Sequence, residues 1–80
     1  MERSKKETQL FLKQLGERIR KLRKEKKMSL RDLGYSCDIE KSNMGRIESG
    51  RTNPTILTLK KICKSLGITL KKLMDFEYAE

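Results

Sequence analysis

The sequence has no histidine and no tryptophan, and it holds only two cysteines among its 80 residues. A zinc site needs three or four ligands, drawn mainly from His and Cys, and Cys37 and Cys63 form no Cys-x-x-Cys pair. We therefore predict that the protein has no metal site and no cofactor. Because the chain also lacks a glycine-rich loop that would cradle phosphates, we predict that it is not an enzyme.

Long apolar segments are missing too. No run approaches the roughly 20 apolar residues that span a bilayer, and the sequence shows no signal-peptide pattern. Two distant cysteines in such a chain indicate reduced thiols. We expect a cytoplasmic protein with no membrane partner and no small-molecule ligand, in which both cysteines are small core residues.

Positive charge is what the sequence has in excess. It carries 20 Lys and Arg against 11 Asp and Glu, a formal net charge of +9. Such a balance points to a polyanionic partner, either nucleic acid or an anionic membrane surface. The charge is uneven, with a net +7 on residues 1–28, zero on residues 29–53 and +2 on residues 54–80. A lysine-rich first helix is also compatible with a merely solvated face.

The first predicted helix is amphipathic. Its apolar positions recur at steps of three and four, at Leu12, Leu15, Ile19 and Leu22. This spacing predicts a helix that begins at Gln9 or Leu12 and ends at Lys26. The core needs the apolar stripe, which argues against membrane-surface binding. Residues 1–8 have no apolar residue beyond Met1 and are expected to form a flexible basic arm.

Four shorter helices are predicted after it. Their start and stop signals are, in chain order, Ser29, Gly50, Thr55, Gly67 and Thr69. We place the second helix at residues 30–36 and the third at residues 41–49, and the capping residues mark the fourth and fifth. No stretch alternates with period two. The sequence therefore predicts an all-α fold of five short helices, with one domain over residues 9–76 and a polar tail over residues 77–80.

The second and third helices are close together in the sequence. Gly34 is a small residue in the first of them, Asp38 suits the left-handed position of a tight turn, and Ile39 is the apolar residue of that turn. This pattern is typical of a helix-turn-helix unit, whose second helix stands proud of the core. Such a helix fits the major groove of DNA. We predict this unit at about residues 29–48.

The chain resembles the lambda-repressor-like DNA-binding domains of Cro and Xre type over roughly residues 15–73. The segments that carry the resemblance are LGERIRKLR at 15–23, MSLRDL at 28–33, RIESG at 46–50, Asn53-Pro54, and TLKKI at 58–62. The resemblance implies an all-helical domain that binds operator DNA, mostly as a dimer. Among the branches of the family, the chain looks most like restriction–modification controller proteins and short Xre regulators.

The resemblance also implies which side chains read the DNA bases. Lys41, Ser42 and Arg46 match positions that face base edges, and Asn43 reads adenine or holds a phosphate. The chemistry fits, because Arg pairs bidentately with guanine and Lys reaches the same acceptors. A polar exposed helix face is the simpler alternative.

Further residues are implied as phosphate contacts or as supports. The phosphate candidates are Ser29, Arg31, Arg51, Asn53 and Thr55. For Ser29 and Thr55, a plain helix-capping role is an equal alternative. Arg23 and Glu48 match a pair that forms a salt bridge between the first and third helices of the family.

Five positions depart from the family pattern. They are Leu30 in place of a common Gln, Gly34 in place of Ala, Asp38 in place of Gly, Glu40 in place of Ser or Thr, and Gly45 at a frequent contact position. We expect Leu30 to remove one DNA contact and Glu40 to be a poor cap. These changes bear on affinity more than on fold.

Two functions from different classes remain open. The first is a sequence-specific transcription regulator that binds a pseudo-palindromic operator in double-stranded DNA as a homodimer. The candidate dimer residues are Leu57, Leu70, Met74, Phe76 and Tyr78. The second is a protein-interaction module, an antitoxin or adaptor, which Glu40 and the neutral segment 29–53 slightly favour. Arg3, Lys5 and Lys6 either follow the minor groove or form a solubilising tail.

Overall fold

The computed structural model describes the backbone of residues 2–77 and the side chains of residues 5–77. Five helices and no strand occur in this part of the chain, which confirms the predicted all-α fold. The helices are α1 (Glu2–Glu25), α2 (Leu30–Cys37), α3 (Lys41–Glu48), α4 (Ile56–Leu66) and α5 (Leu70–Leu73). Their ends agree with the predicted ends to within one residue wherever both were given, except at the start of α1.

The start of α1 was predicted wrongly. The helix begins at Glu2 and has 24 residues, so the segment expected to be a flexible arm is helical. The segment before Leu12 contains no Gly or Pro and is rich in Lys, Glu and Gln, which are good helix formers. A helix already nucleated by core packing needs only propagation to extend through such residues. Residues 78–80 of the predicted tail lie outside the described residues.

One apolar core joins all five helices. Its fully buried side chains are Ile19, Leu33, Met44, Ile62, Leu66 and Leu73. Cys37 and Cys63 are buried among them as free thiols, which confirms their predicted place in the core. Burial raises the pKa of the Cys63 thiol, because the thiolate is poorly solvated there.

Local capping chemistry sets the helix starts. The hydroxyl oxygens of Ser29, Thr55 and Thr69 each accept a hydrogen bond from the amide three residues on, at 3.0, 3.1 and 3.0 Å. Glu40 precedes α3 and makes no side-chain cap bond, as expected of a poor cap. The three helices that follow a Ser or Thr therefore start with a satisfied amide, and α3 does not.

Arg18 holds the C-terminal end of α5 against α1. Its guanidinium donates to the carbonyl oxygens of Lys72 at 2.8 Å and Leu73 at 3.3 Å. A second contact lies nearby, where the rings of Phe11 and Phe76 are 6.3 Å apart between centroids. The cation satisfies carbonyls that a helix end leaves unpaired, so α1 supports the C-terminal segment.

Two glycines allow close backbone approach. A Cβ at Gly16 would lie 2.3 Å from the carbonyl oxygen of Glu48, and a Cβ at Gly34 would lie 2.6 Å from that of Ile39. The first lets α1 cross the end of α3, and the second lets the turn after α2 fold back on it. The close packing of α1 on α3 at Gly16 therefore compensates for the low helix propensity of glycine.

Gly45 differs from these two, which gives a stability prediction. Its Cβ would lie 3.5 Å from Leu30 Cδ2, an ordinary contact. We expect Gly45→Ala to raise the free energy of unfolding by about 1 kcal/mol, because alanine has the higher helix propensity. Gly34→Ala is the matched control and should lower it, since a backbone atom must shift. Urea unfolding of both variants tests this, and a Gly34→Ala protein as stable as Gly45→Ala would contradict the steric argument.

Candidate DNA-binding surface

A tight turn joins α2 to α3. Asp38 has φ 57° and ψ 43°, the left-handed conformation predicted for it. The amide of Ile39 donates to the carbonyl of Gly34 at 2.8 Å, and the Ile39 side chain packs half-buried against the core. Asp and Asn are among the few non-glycine residues that tolerate this conformation. The turn fixes α3 across α2 in the arrangement predicted at residues 29–48.

The exposed side of α3 carries the predicted base-reading residues. Lys41, Ser42, Asn43 and Arg46 are all exposed, while Met44 and Ile47 are buried beneath them. At 3.6 residues per turn, the four side chains span about 200° around the helix, in the order Lys41, Ser42, Arg46 and Asn43. We call the side of Lys41, Ser42 and Arg46 the reading face.

Asn43 belongs to a different neighbourhood. It lines a cleft of about 270 Å³ together with Asn53 and Thr55, two of the predicted phosphate contacts. Thr52 and Pro54 complete the rim of this cleft. Of the two roles that the sequence left open for Asn43, this placement favours holding a phosphate over reading a base.

A second cleft lies beside Gly45, between α1, α2 and α3. We call it the Gly45 cleft. It has a volume of about 250 Å³ and is lined by Arg20, Arg23, Leu30, Gly45, Glu48 and Ser49. Gly45 and Ser49 lie between Lys41 and Ser42 around the axis of α3, so this cleft opens within the reading face, at its Lys41 edge.

A buried ion pair joins α1 to α3. Arg23 donates to Glu48 through Nε at 2.7 Å and through a terminal nitrogen at 3.0 Å. The other terminal nitrogen donates to the carbonyl of Met28 at 2.9 Å. Only 8% of Arg23 and 9% of Glu48 is exposed. The hydrogen bond to Glu48 raises the pKa of Arg23, as expected when a guanidinium gains a bidentate anionic partner.

The predicted phosphate contacts are alike in their exposure to solvent. Ser29, Arg31, Arg51, Asn53 and Thr55 are all exposed. The Ser29 amide donates to the Asp32 carboxylate at 3.1 Å, and this bond lowers the pKa of Asp32. The Ser29 and Thr55 hydroxyls accept cap bonds. Both capping roles are therefore present in the structure, and their phosphate contacts stay predictions.

The predicted dimer residues are not alike in exposure. Leu57 is 67% exposed, whereas Leu70, Met74 and Phe76 are partly buried against the core. Tyr78 lies outside the described residues. The three partly buried side chains thus pack against the core of their own chain, which leaves less of their surface for a dimer contact.

Sequence reasoning missed three exposed or lining residues. Ile56, next to Leu57, is 57% exposed, and Tyr35 on α2 is 88% exposed. Arg20 lines the Gly45 cleft. The spacing of three residues between Arg20 and Arg23 was a usable signal, because it puts both on one helix face.

Within the described part of the chain, no helix is long and apolar enough to cross a membrane. The same residues contain no group of three or more His, Cys, Asp or Glu that is placed to hold a metal ion.

A family model described as a helix-turn-helix domain matches residues 16–78. The chain belongs to this family. Its resemblance to Cro and Xre type domains is thereby confirmed.

Several relatives of this helix-turn-helix domain are known. The control protein C.BamHI of Bacillus amyloliquefaciens is 36% identical over 62 residues, covering 76% of each chain. The crystal structure of the restriction–modification controller protein C.AhdI from Aeromonas hydrophila matches with a TM-score of 0.77 at 28% identity, covering 79% of this chain and 96% of C.AhdI. The crystal structure of SinR, a master regulator for biofilm formation, is a complex with DNA. It matches with a TM-score of 0.70 at 37% identity, covering 76% of this chain and 98% of that one.

Other relatives are longer. The helix-turn-helix domain described here spans between 42% and 56% of the length of several curated relatives that it matches. The chain compares more closely in size with the controller proteins, since it spans 76% of C.BamHI and 82% of C.MunI.

The ion pair of this helix-turn-helix domain gives a second prediction. We expect Glu48→Leu to lower the free energy of unfolding by about 3 kcal/mol, because it leaves a buried guanidinium without its anion. The double variant Arg23→Met/Glu48→Leu should recover most of that loss, since apolar pairs of similar volume replace buried ion pairs well. Chemical denaturation measures both, with Lys24→Met as the exposed control. A Glu48→Leu protein within 1 kcal/mol of the parent would contradict a stabilising role for the pair.

Proposed function

We propose that the protein is a sequence-specific transcription regulator that binds double-stranded DNA through α2 and α3. The observation that carries the proposal is the reading face, whose polar side chains stand exposed on a helix that a buried ion pair holds against α1. The complex of the relative SinR with DNA supports the same role for this chain. A cytoplasmic location fits such a regulator.

Specificity would come from contacts of the reading face with base edges. Arg46 has the donor geometry to bridge O6 and N7 of guanine, and Lys41 reaches the same acceptors. Ser42 is able to bond either base of a pair. Each good bidentate contact discriminates by about 1–3 kcal/mol, so two of them together discriminate by about 2–6 kcal/mol.

Positioning on the backbone would come from the residues around the reading face. Arg31 and Arg51 offer exposed guanidinium groups, and Asn43, Asn53 and Thr55 share one cleft. Phosphate contacts of this kind fix register and orientation without reading sequence. In this proposal, base contacts lie at the centre of the surface and phosphate contacts lie at its edges.

A protein-interaction module remains the second candidate. The observations that favour it are the zero net charge of residues 29–53 and the exposed Glu40, which repels phosphate. DNA binding and protein binding differ in salt dependence, because only the first releases a large number of counterions. A binding constant that barely changes with salt would support the module.

The reading face gives the third prediction. We expect Lys41→Ala and Arg46→Ala each to weaken binding to the preferred DNA site by roughly 10- to 100-fold, as each removes a base contact of about 1–3 kcal/mol. The site would first be selected from a random DNA pool, and fluorescence anisotropy would then measure affinity. Lys64→Ala, an exposed lysine at the end of α4, is the control. Unchanged affinity in both reading-face variants, with helical content intact, would show that α3 does not read the DNA.

We further propose that the regulator acts as a homodimer on a pseudo-palindromic operator. Two copies would place their reading helices about 34–36 Å apart, in successive turns of the major groove. The exposed side chains of Ile56 and Leu57 support this, since adjacent apolar groups at the start of α4 are unfavourable in water. A second copy of the chain, related by a two-fold axis, would cover them.

The proposed dimer contact is the source of the fourth prediction. We expect Leu57→Lys and Ile56→Lys to shift the protein toward monomer, because each places a charge at an apolar contact. Sedimentation equilibrium measures the change. Tyr35→Lys, which charges an exposed apolar residue on a different helix, should leave the association unchanged. Equal loss of association in all three variants would argue against a dimer surface at the start of α4.

A further inference from the structure

Helix α1 lies across the C-terminal end of the reading helix and continues past it. The close approach of Gly16 to the Glu48 carbonyl marks the crossing point. One turn earlier, a Cβ at Gly50 would lie 2.6 Å from the Cα of Lys13, so α1 also packs on the chain just before Arg51. At 1.5 Å per residue, the eleven residues from Glu2 to Leu12 extend the helix by about 16 Å beyond this contact.

One face of α1 carries a basic row, which we call the α1 ridge. It consists of Lys6, Lys13 and Arg20, all exposed. A spacing of seven residues is nearly two helical turns, so the three lie on one face at intervals of about 10.5 Å. Arg20 lines the Gly45 cleft together with Gly45 and Ser49. The ridge therefore begins beside the reading face and leads away from it past the α3–α4 connection.

The helical state of the N-terminal segment limits how it meets DNA. An α-helix with its side chains is about 10–12 Å across, whereas the minor groove is only about 6 Å wide. The segment is therefore too wide to follow the minor groove as an extended arm would. A helix passing outside the duplex contacts phosphates, and lysine and arginine are the side chains for that contact.

We propose that the α1 ridge binds phosphates of the DNA backbone next to the recognition site. This inference rests on the proposed DNA-binding function and adds to it a second contact surface. The helix-turn-helix segment, residues 29–53, has no net charge, so its acids offset the attraction of Arg31 and Arg51 and the net attraction to DNA comes from elsewhere. Residues 1–28 carry a net +7, and the ridge places three of those charges in one row at the edge of the reading face.

The ridge also extends beyond the part of the chain that the family model matches. The family model begins at residue 16, so Lys6 and Lys13 lie outside the part of the chain that it matches. Arg20 lies inside it. The ridge thus joins a position within the domain to two positions on the N-terminal extension of α1.

Two charge-matched variants of the full chain test the ridge. The ridge variant is Lys6→Gln/Lys13→Gln/Arg20→Gln, and the control is Lys21→Gln/Lys64→Gln/Lys71→Gln, which replaces exposed lysines elsewhere. Glutamine keeps helix propensity close to that of Lys and Arg, and each variant loses three positive charges. The affinity for the selected DNA site and for an unrelated duplex would be measured between about 50 and 200 mM salt.

We expect the ridge variant to have a shallower dependence of log affinity on log salt, by about 2 to 3 in slope, since each lost phosphate contact removes about 0.9. Its affinity should fall in similar proportion on both DNAs, so that the ratio between them is kept. The control should retain nearly the parental slope. Equal slopes in the ridge variant and the control would overturn the inference.

The same measurements separate the two proposals. If the parent prefers its selected site and the ridge variant keeps the parental slope, the ridge is wrong and the DNA-binding function stands. If the parent shows neither a preferred site nor a salt-dependent affinity, the proposed function fails and the ridge fails with it.

Discussion

The ion pair between Arg23 and Glu48 is the contact on which the geometry of the surface depends. α3 has only eight residues and no side-chain cap at its start, so its own hydrogen bonds do little to fix its direction. Glu48 is its last residue, and the bidentate contact to α1 holds that end in place. Because Arg23 also donates to the Met28 carbonyl, one guanidinium links α1 to α3 and to the α1–α2 connection. The burial of both charges makes the link costly to break.

Charge is divided between two parts of the fold. The helix-turn-helix is neutral because Asp32, Asp38, Glu40 and Glu48 balance its basic residues. The carboxylates of two of these acids make structural contacts. Glu48 accepts hydrogen bonds from Arg23, and Asp32 accepts one from the Ser29 amide at the start of α2. The neutral balance is thus partly a consequence of building two short helices and their junction. The exposed faces of α1 need no acidic residues for such contacts, so this helix carries most of the net positive charge.

Local chemistry made much of the fold predictable from the sequence. The caps at Ser29, Thr55 and Thr69 and the turn at Asp38 follow from interactions within four residues, and all appear in the structure. The candidate base-reading residues of α3 came from the resemblance to the family. The contacts that the sequence did not indicate depend on distant partners. The bond from Arg18 to the end of α5 spans 54 residues, and no sequence pattern near either partner announces it.

Leu30 and Gly45 are two departures from the family pattern that lie in contact with each other. Considered separately, Leu30 gives up a polar contact and Gly45 gives up a side chain. In the structure they face each other, since a Cβ at Gly45 would touch Leu30 Cδ2 at 3.5 Å, and both line the cleft over the Arg23–Glu48 pair. Together they replace polar side chains at the reading face with an apolar side chain, that of Leu30, and with the open cleft beside Gly45. In the proposed DNA complex, more of the base recognition then falls to Lys41, Ser42 and Arg46, and more of the non-specific attraction to the basic residues around them.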